Sequence, residues 1–502
     1  MLTAISSLLL ALPWLNPLTY GPSYSVVQWL GVGLGACLCW VIWSLDRTSP
    51  EERTRAIAAA WLAAATASAV IGLLQYLGLA EQFGGLINAT ALGEAYANLR
   101  QRNQFATLTS IGLLALLWQV QQWQGRPEPG AQAKAGAMWA VGVAALLLAV
   151  GNAASGSRTG LLQWLLVVAL TALWSARGQR QAVAVGVGAL VAYLLAALAL
   201  PLILQAATGA HSGGLLARFQ EEADCGSRRI LWSNVLHLIA QKPWAGWGWG
   251  NLDYAHFVTL YPGDRFCEIV DNAHNLPLHL AVELGVPVAL GVCGAGLFLV
   301  WRASPWNERD TTRQLAWGVL AVILLHSMVE YPLWYGPFQM AAGLSIWLLW
   351  KWPGADETIR GNSSLAPALS AAGATCLIAL IAYAGWDYWR ISQLYLPAEA
   401  RGQAYRDNTM EKVRDSWLFQ DQVLFAELTT ASLTRDNAER LNTLAKWLLH
   451  FSPEPRVVEK LVESAALLGH DEEALFYLQR YKVAFPAEHA RWANPSGSQK
   501  TP

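Results

Sequence analysis

Long apolar runs separated by short polar segments dominate the chain up to about Trp350. An α-helix needs roughly 17–25 apolar residues to cross a bilayer. By this criterion the sequence predicts about eleven transmembrane helices, at 2–18, 26–45, 56–79, 105–123, 137–151, 160–174, 182–206, 276–300, 315–331, 338–350 and 366–386. Two of these runs, 137–151 and 338–350, are short. The fold class expected is therefore an all-α polytopic membrane protein.

Charged residues become dense from Asp387 onward, so we predict a membrane domain, 1–386, with a long loop at 207–275, and a helical domain, 387–502. Within the loop, apolar residues at helical spacing follow Arg228, and a Gly/Trp run, 242–251, then breaks the pattern. We expect an amphipathic helix on the membrane surface and a turn at headgroup level.

The tail has Phe-Pro endings at 451–453 and 485–486, spaced by roughly 34 residues, which is the period of tetratricopeptide repeats. We expect 410–433 and 437–450 to supply further helices on which this unit stacks.

Basic residues fall in alternate short loops, which indicates that those loops are cytoplasmic. The residues are Arg47, Arg53, Arg55, Arg126, Lys134, Arg177, Arg180, Arg302, Arg309, Arg313, Lys351 and Arg360. With eleven crossings, the segments 81–104 and 207–275 and the tail then face outward. The first run lacks a basic start and a cleavage site, so we interpret it as a retained membrane helix.

Composition supports a membrane location, because 54% of the residues are hydrophobic and only 14% are charged, against about 25% in soluble domains. No basic stripe indicates a nucleic-acid partner. No His/Cys cluster has zinc spacing, so neither a metal nor another cofactor is expected.

Cys225 and Cys267 share the outward loop, and we expect a disulfide between them.

Ionisable residues near membrane depth are costly and are candidates for function. Arg158 lies in an outward loop, although basic residues prefer cytoplasmic loops. The structural alternative to a functional role is that its side chain simply snorkels to the membrane surface. Arg228 and Arg229 begin the surface helix, where attraction to lipid headgroups is the alternative. A bound anion would explain both groups.

Two further groups carry histidine. His274 lies at the outer mouth of the predicted 276–300 span, where it can reach water and headgroups alike, so a general base is expected there. His326 and Glu330 are predicted on one helix face at i and i+4. A buried structural histidine and a buried ion pair are the respective alternatives.

Arginine forks hold phosphate oxygens bidentately, so these arginines suit a diphosphate without metal. A polyprenyl diphosphate fits both the charge and the membrane. A base that removes a proton from an acceptor hydroxyl would let that oxygen attack the sugar of such a lipid.

At these residues the sequence resembles the superfamily of O-antigen ligases, O-antigen polymerases and bacterial protein O-oligosaccharyltransferases. The resemblance covers about 99–350 and rests on 156–160, on 229–232 with 243–251, and on His274-Asn275 continuing to 283–285. The segments 13–17, 99–106 and 326–335 are similar to the protein-glycosylating, pilin-type branch.

The resemblance implies a GT-C-like, inverting glycosyltransferase that works without metal or nucleotide. Its donor would be an oligosaccharide on polyprenyl, for example undecaprenyl, diphosphate, transferred en bloc to a Ser or Thr hydroxyl of a protein such as a pilin. His274 would be the catalytic base, and Arg158 with Arg228 or Arg229 would bind the diphosphate. The supporting residues would be Asn275, Glu283, His326, Glu330, Tyr335 and Arg102.

The resemblance places the enzyme in a bacterial inner membrane, surrounded by lipid, with the active site and tail in the periplasm. Ligation of glycan to lipid A-core and O-antigen polymerisation stay open as alternatives. A transporter would place charges near the midplane in two related halves, which this sequence lacks. An assembly scaffold is a further alternative, and replacing His274 would separate it from a transferase.

Overall fold

The computed structural model describes residues 1–18, 20–45, 48–124, 131–175, 180–209, 225–350 and 365–494. Arg47, Arg126, Arg177, Lys351 and Arg360, which helped to orient the predicted spans, lie outside these ranges. Within them the chain is helical and contains no strand, which confirms the all-α prediction for this part of the molecule.

Twenty α-helices are numbered here in chain order. The first ten are α1 (Leu2–Leu15), α2 (Tyr24–Leu45), α3 (Pro50–Tyr76), α4 (Arg102–Gln124), α5 (Ala131–Ser155), α6 (Arg158–Trp174), α7 (Arg180–Thr208), α8 (Arg228–Gln241), α9 (Leu252–Val258) and α10 (Leu276–Leu284). The others are α11 (Val286–Ala303), α12 (Thr311–Ser327), α13 (Gly336–Leu349), α14 (Leu365–Ser392), α15 (Thr409–Val413), α16 (Gln420–Thr430), α17 (Ala438–Leu448), α18 (Pro455–Leu467), α19 (Asp471–Ala484) and α20 (Pro486–Ala493).

Ten of the eleven predicted spans each coincide with one helix, and the 276–300 span is divided between α10 and α11. The number of crossings stays a prediction. Six helices of the described chain are long and apolar enough to cross a membrane, and α1 and α6 are shorter apolar helices. The six candidates are Ser25–Leu45, Pro50–Tyr76, Gln132–Ser155, Arg180–Thr208, Val286–Asn307 and Ala368–Tyr395.

The chain forms two compact units. The first comprises Met1–Glu221 and Val300–Tyr383, and the second comprises Glu222–Leu299 and Ala384–Pro502. The second unit therefore joins the long loop, which the sequence analysis assigned to the membrane domain, with the C-terminal tail.

The first unit packs its helices closely through small residues. A Cβ on Gly112 of α4 would lie 2.3 Å from Cβ of Ala65 on α3, and one on Gly151 of α5 would lie 2.6 Å from Cβ of Ala69. Small side chains let backbones approach, which is how helices associate in a membrane. Large aromatic side chains fill the remaining space, and Trp14 meets Phe338 edge-to-face with ring centroids 5.0 Å apart.

In the second unit, the predicted 276–300 span is wrong as a single helix, because the chain breaks at Gly285. In a continuous helix the amide of Val286 would donate to the carbonyl of Val282. Instead the Trp247 amide donates to that carbonyl at 2.9 Å, and the Val286 amide donates to Pro243 at 2.8 Å. Gly285 has a φ of 88° at the break. The Gly/Trp run thus replaces part of the helical ladder, and we call the segment 243–251 the clamp.

The clamp needs glycine where the two backbones meet. A Cβ on Gly246 would lie 2.3 Å from the carbonyl oxygen of Glu283, and one on Gly285 would lie 2.2 Å from that of Trp244. Contacts this short do not occur in real structures, so neither position accepts a side chain without movement of the backbone.

The tail contains helices where the sequence predicts them. Within the segment 410–433 the helical structure is interrupted between α15 and α16. The reason is a distant carboxylate: Asp387 Oδ2 accepts from Ser416 Oγ at 2.9 Å and from the Leu418 amide at 3.2 Å. Helices α17, α18 and α19 pack consecutively, and their assignment to tetratricopeptide repeats stays a prediction.

The structure joins Cys225 to Cys267, the pair that the sequence analysis expected, with Cα atoms 5.5 Å apart. The bond closes a loop with a sequence separation of 42 residues, and this loop contains α8 and α9. Cross-linking a loop of this kind stabilises a fold by about 2–4 kcal/mol, mainly through the unfolded state.

Replacing both Cys225 and Cys267 by alanine should therefore lower the thermal stability of the second unit. The expected loss is about 2–4 kcal/mol, visible as earlier thermal exposure of the tail to protease. Cys293→Ala is the matched control, since that thiol is free and should leave the midpoint unchanged. Quantitative alkylation of both thiols in the non-reduced wild type would contradict the bond.

Gly246→Ala should loosen the clamp, because the new Cβ clashes with Glu283 and the residue has a φ of 67°. We expect a cost of about 1–3 kcal/mol and faster hydrogen exchange at the amides of Trp247 and Gly248. Gly263→Ala is the control, because a Cβ there has nothing within 4 Å. Equal exchange in the two variants would refute the role of the clamp.

Candidate functional site

Arg158 is the first residue of α6, and the motif around it consists of residues that build this helix start. Gly156 turns the chain with a φ of 59°. The Ser157 hydroxyl caps the helix by accepting from the Gly160 amide at 3.0 Å. Gly160 lets α6 approach α5, since a Cβ there would lie 2.4 Å from Asn152 Oδ1. Arg158 itself is exposed between buried neighbours.

Asn103 connects this helix start to the segment after α12. The Ser157 hydroxyl donates to Asn103 Oδ1 at 2.6 Å, and Asn103 Nδ2 donates to Glu330 at 3.3 Å. The neighbouring Arg102 forms an ion pair with Glu94. The structure therefore brings three predicted residues, Arg102, Arg158 and Glu330, to one end of α4 and α6.

His326 and Glu330 do not share a helix face, so the i and i+4 prediction is wrong. Helix α12 ends at Ser327, and the Glu330 amide donates to the His326 carbonyl at 2.9 Å while its side chain turns toward Asn103. His326 is fully buried, with Nδ1 lying 2.9 Å from Thr107 Oγ1. Tyr335 is also buried and stacks on Tyr331, with centroids 5.6 Å apart.

In the second unit, Arg228 and Arg229 are the first two residues of α8. Ser227 caps the helix by accepting from the Ile230 amide at 3.5 Å. Leu231, Val235 and Leu238 form the buried face of α8. Arg228 is half-buried and Arg229 is exposed.

His274 stands immediately before α10, with the unusual φ of 50°. Only a few per cent of residues other than glycine have a positive φ, and strain of this kind clusters at functional sites. Three contacts hold the backbone there. Asn272 Oδ1 accepts from the His274 amide at 2.9 Å, Asn275 caps α10 through the Leu278 amide at 3.0 Å, and Trp232 Nε1 of α8 donates to the Ala273 carbonyl at 3.1 Å.

The clamp and α9 surround the other end of α10. Glu283 is buried, its Oε2 lies 3.4 Å from Nε2 of His279, and the amides of Gly250, Asn251 and Leu252 lie close to its carboxylate. A carboxylate at the start of α9 interacts favourably with the positive end of that helix. Glu283 thus ties α10 to α9.

Asp253 adds a carboxyl group that the sequence analysis did not single out. Burial, followed by the negative charges of Asp271 and Glu283, raises the pKa of Asp253 to about 7. Sequence spacing gives no sign of this cluster, because the clamp brings α9 and α10 together. Among the described residues no group of three His, Cys, Asp or Glu side chains is arranged to hold a metal ion.

The predicted site residues thus form two sets. Arg102, Arg158, His326, Glu330 and Tyr335 belong to the first unit, whereas Arg228, Arg229, His274, Asn275, Glu283 and the disulfide belong to the second. Asn103, Trp232, Asp253 and His279 complete these sets, and of the four Asn103 and Trp232 lie within segments that carry the resemblance.

Three family models match the chain. Residues 143–293 match the O-antigen ligase family, 95–118 match the protein glycosylation ligase family, and 314–499 match the C-terminal region of the virulence factor membrane-bound polymerase family. The first match contains Arg158, Arg228, Arg229 and His274, and the second contains Arg102. No solved structure matches the chain.

A general O-oligosaccharyltransferase of Acinetobacter baylyi is 24% identical to the chain over 339 residues. The match covers 65% of this chain and 55% of the relative, so the chain spans just over half the length of that protein. Together with the glycosylation ligase segment, these matches support the resemblance of the chain to a protein O-oligosaccharyltransferase of the O-antigen ligase superfamily.

Proposed function

We propose that this protein transfers an oligosaccharide from a polyprenyl diphosphate to a Ser or Thr hydroxyl of an acceptor protein such as a pilin. The observation that carries the proposal is the placement of Arg158, Arg228, Arg229 and His274 at three helix starts. The lipid would be undecaprenyl diphosphate or a close relative. The reaction would occur at the periplasmic face of a bacterial inner membrane, where the tail would also lie.

The arginines are suited to the diphosphate. The first turn of a helix carries unsatisfied N–H groups and a partial positive charge, so it attracts anions. A basic side chain there costs about 0.3–1 kcal/mol relative to an acidic one. A bound diphosphate reverses this cost, because the guanidinium groups and the helix amides then face negative charge. As the glycosidic bond breaks, the same groups stabilise the departing polyprenyl diphosphate.

His274 is suited to the acceptor. In the proposed step its imidazole takes the proton from the acceptor hydroxyl while that oxygen bonds to the anomeric carbon. The bond from this carbon to the diphosphate oxygen breaks on the opposite face, so the sugar configuration inverts. The bonding electrons leave with the diphosphate, and the imidazolium afterwards releases its proton to water. The contacts from Asn272, Asn275 and Trp232 fix the backbone that presents the imidazole.

The other residues position this machinery. Glu283 and Asn275 hold the two ends of α10, while Glu330 acts through Asn103 on the capping Ser157. His326 and Tyr335 pack beneath that end of the first unit, and Arg102 is paired with Glu94. These roles predict weaker effects on substitution than those of His274 and the arginines.

The tail is suited to acceptor recognition, because it contacts α9 directly. The His450 ring stacks on Tyr254 with centroids 3.9 Å apart, and its Nδ1 lies 2.6 Å from Asn251 Oδ1. Arg480 Nε donates to the Val258 carbonyl at 2.7 Å. A protein bound to the tail would therefore lie close to the clamp.

Ligation to lipid A-core and glycan polymerisation are the alternatives, and the O-antigen ligase and polymerase matches favour them over transport.

Replacing His274 by alanine should slow transfer by about 10²–10⁴-fold and leave donor binding nearly intact. The assay combines purified protein, lipid-linked oligosaccharide and an acceptor protein, and it measures the acceptor's mass. His237→Ala, on α8 of the same unit, is the matched control and should retain activity. Full transfer by His274→Ala would overturn the proposed mechanism.

Arg158→Ala, Arg228→Ala and Arg229→Ala should instead weaken donor binding. Losing a charge-assisted hydrogen bond costs about 1.5–3 kcal/mol, or roughly a tenfold to hundredfold loss of affinity. Of the adjacent pair, the variant with the larger loss identifies the arginine that contacts phosphate. Arg435→Ala, exposed in the tail, serves as control.

A chelator should not change the rate of transfer by the wild-type protein. A loss of transfer on chelation that added divalent metal restores would contradict the metal-free mechanism.

A further inference from the structure

The last candidate span has two exposed tryptophans near its end. This span, Ala368–Tyr395, lies mostly within α14. A crossing takes about 20 residues, so a helix that enters the bilayer near Ala368 leaves it close to Asp387. Trp386 and Trp389 are 49% and 42% exposed there. Tryptophan is enriched at this depth because its ring is apolar and its N–H is polar.

Asp387 is fully buried, although it lies at the end of an apolar helix. Its Oδ2 accepts from Ser416 and Leu418, and its Oδ1 accepts from Arg390 Nη2 at 3.0 Å. Arg390 also donates to Asp415 at 3.1 Å. These bonds fix the segment 415–418 against the turn of α14 that contains Trp386 and Trp389.

The fixed segment 415–418, which we call the tip, presents apolar side chains to its surroundings. Trp417 is 75% exposed and Leu418 is 43% exposed. Ser416 and Leu418 both donate to the carboxylate of Asp387, and Trp417 lies between them in the chain. Asp387 directly follows Trp386 in α14. Exposed large apolar side chains at the depth of an aromatic belt match the chemistry of the lipid headgroup boundary.

We propose that Trp417 and Leu418 insert into the headgroup region of the bilayer and form a second membrane contact of the tail, beside α14. The interruption between α15 and α16 then has a purpose, since a continuous helix would not present this tip. Two contacts with the membrane restrict the rotation of the tail about the end of α14. The inference depends on α14 crossing the membrane and is independent of the transfer chemistry.

The test places a fluorophore at the tip. The four free cysteines, Cys37, Cys39, Cys293 and Cys376, are replaced by alanine, and the disulfide is retained. Trp417→Cys is labelled with an NBD dye, and the protein is reconstituted in lipid nanodiscs. Thr434→Cys is the control, because it is exposed beyond the far end of α16, a helix about 16 Å long. Leu418→Cys provides a second label at the tip.

We expect blue-shifted emission at 417 and 418 and loss of their fluorescence when the lipids carry a nitroxide high on the acyl chain. The label at 434 should respond to iodide in the buffer and not to the nitroxide lipid. Iodide quenching of the tip labels with no response to the nitroxide lipid would overturn the proposal. Equal nitroxide quenching at 417 and 434 would also overturn it, because the whole face of the tail would then touch lipid.

Discussion

The positive end of the α-helix is the physical constraint on which this site depends. The chain satisfies it in the usual way at α3, which begins with Glu51 and Glu52, and at α19, which begins with three acidic residues. At α6 and α8 it does the opposite, because neither has an acidic residue in its first turn and both begin with arginine. Helices α4 and α7 also begin with arginine, and at α4 that arginine pairs with the carboxylate of Glu94. In the proposed function, a bound diphosphate supplies negative charge of the same kind at α6 and α8.

The site depends secondly on the clamp, which acts on the position of His274 indirectly. The clamp takes over the carbonyls at the end of α10 and leads directly into α9, and α9 is covered by tail helices through Phe257, Tyr254 and Val258. The start of α10 is held from α8 by Trp232. Changes in the tail can therefore alter the position of His274 without touching it, since each of these elements belongs to one unit.

Much of the fold was accessible from the sequence, because apolar runs are local signals that predict the long helices. The shared outward loop predicted the pairing of Cys225 with Cys267, and charge against the expected orientation singled out Arg158. Hydropathy did not predict the break at Gly285, since a glycine inside an apolar run looks like any packing glycine. The interruption near Ser416 and the turn of Glu330 toward Asn103 depend on partners far away in the chain, which a local pattern does not reveal.

The proposed transfer requires that the acceptor is a protein hydroxyl. It is tested most directly by expressing the chain in a bacterium that makes a lipid-linked oligosaccharide and a pilin, and by mapping the modified residue with tandem mass spectrometry. We expect one oligosaccharide on a Ser or Thr side chain of the pilin, and none when the chain is absent. An unmodified pilin accompanied by glycan on lipid A-core, or by longer lipid-linked glycan, would contradict it.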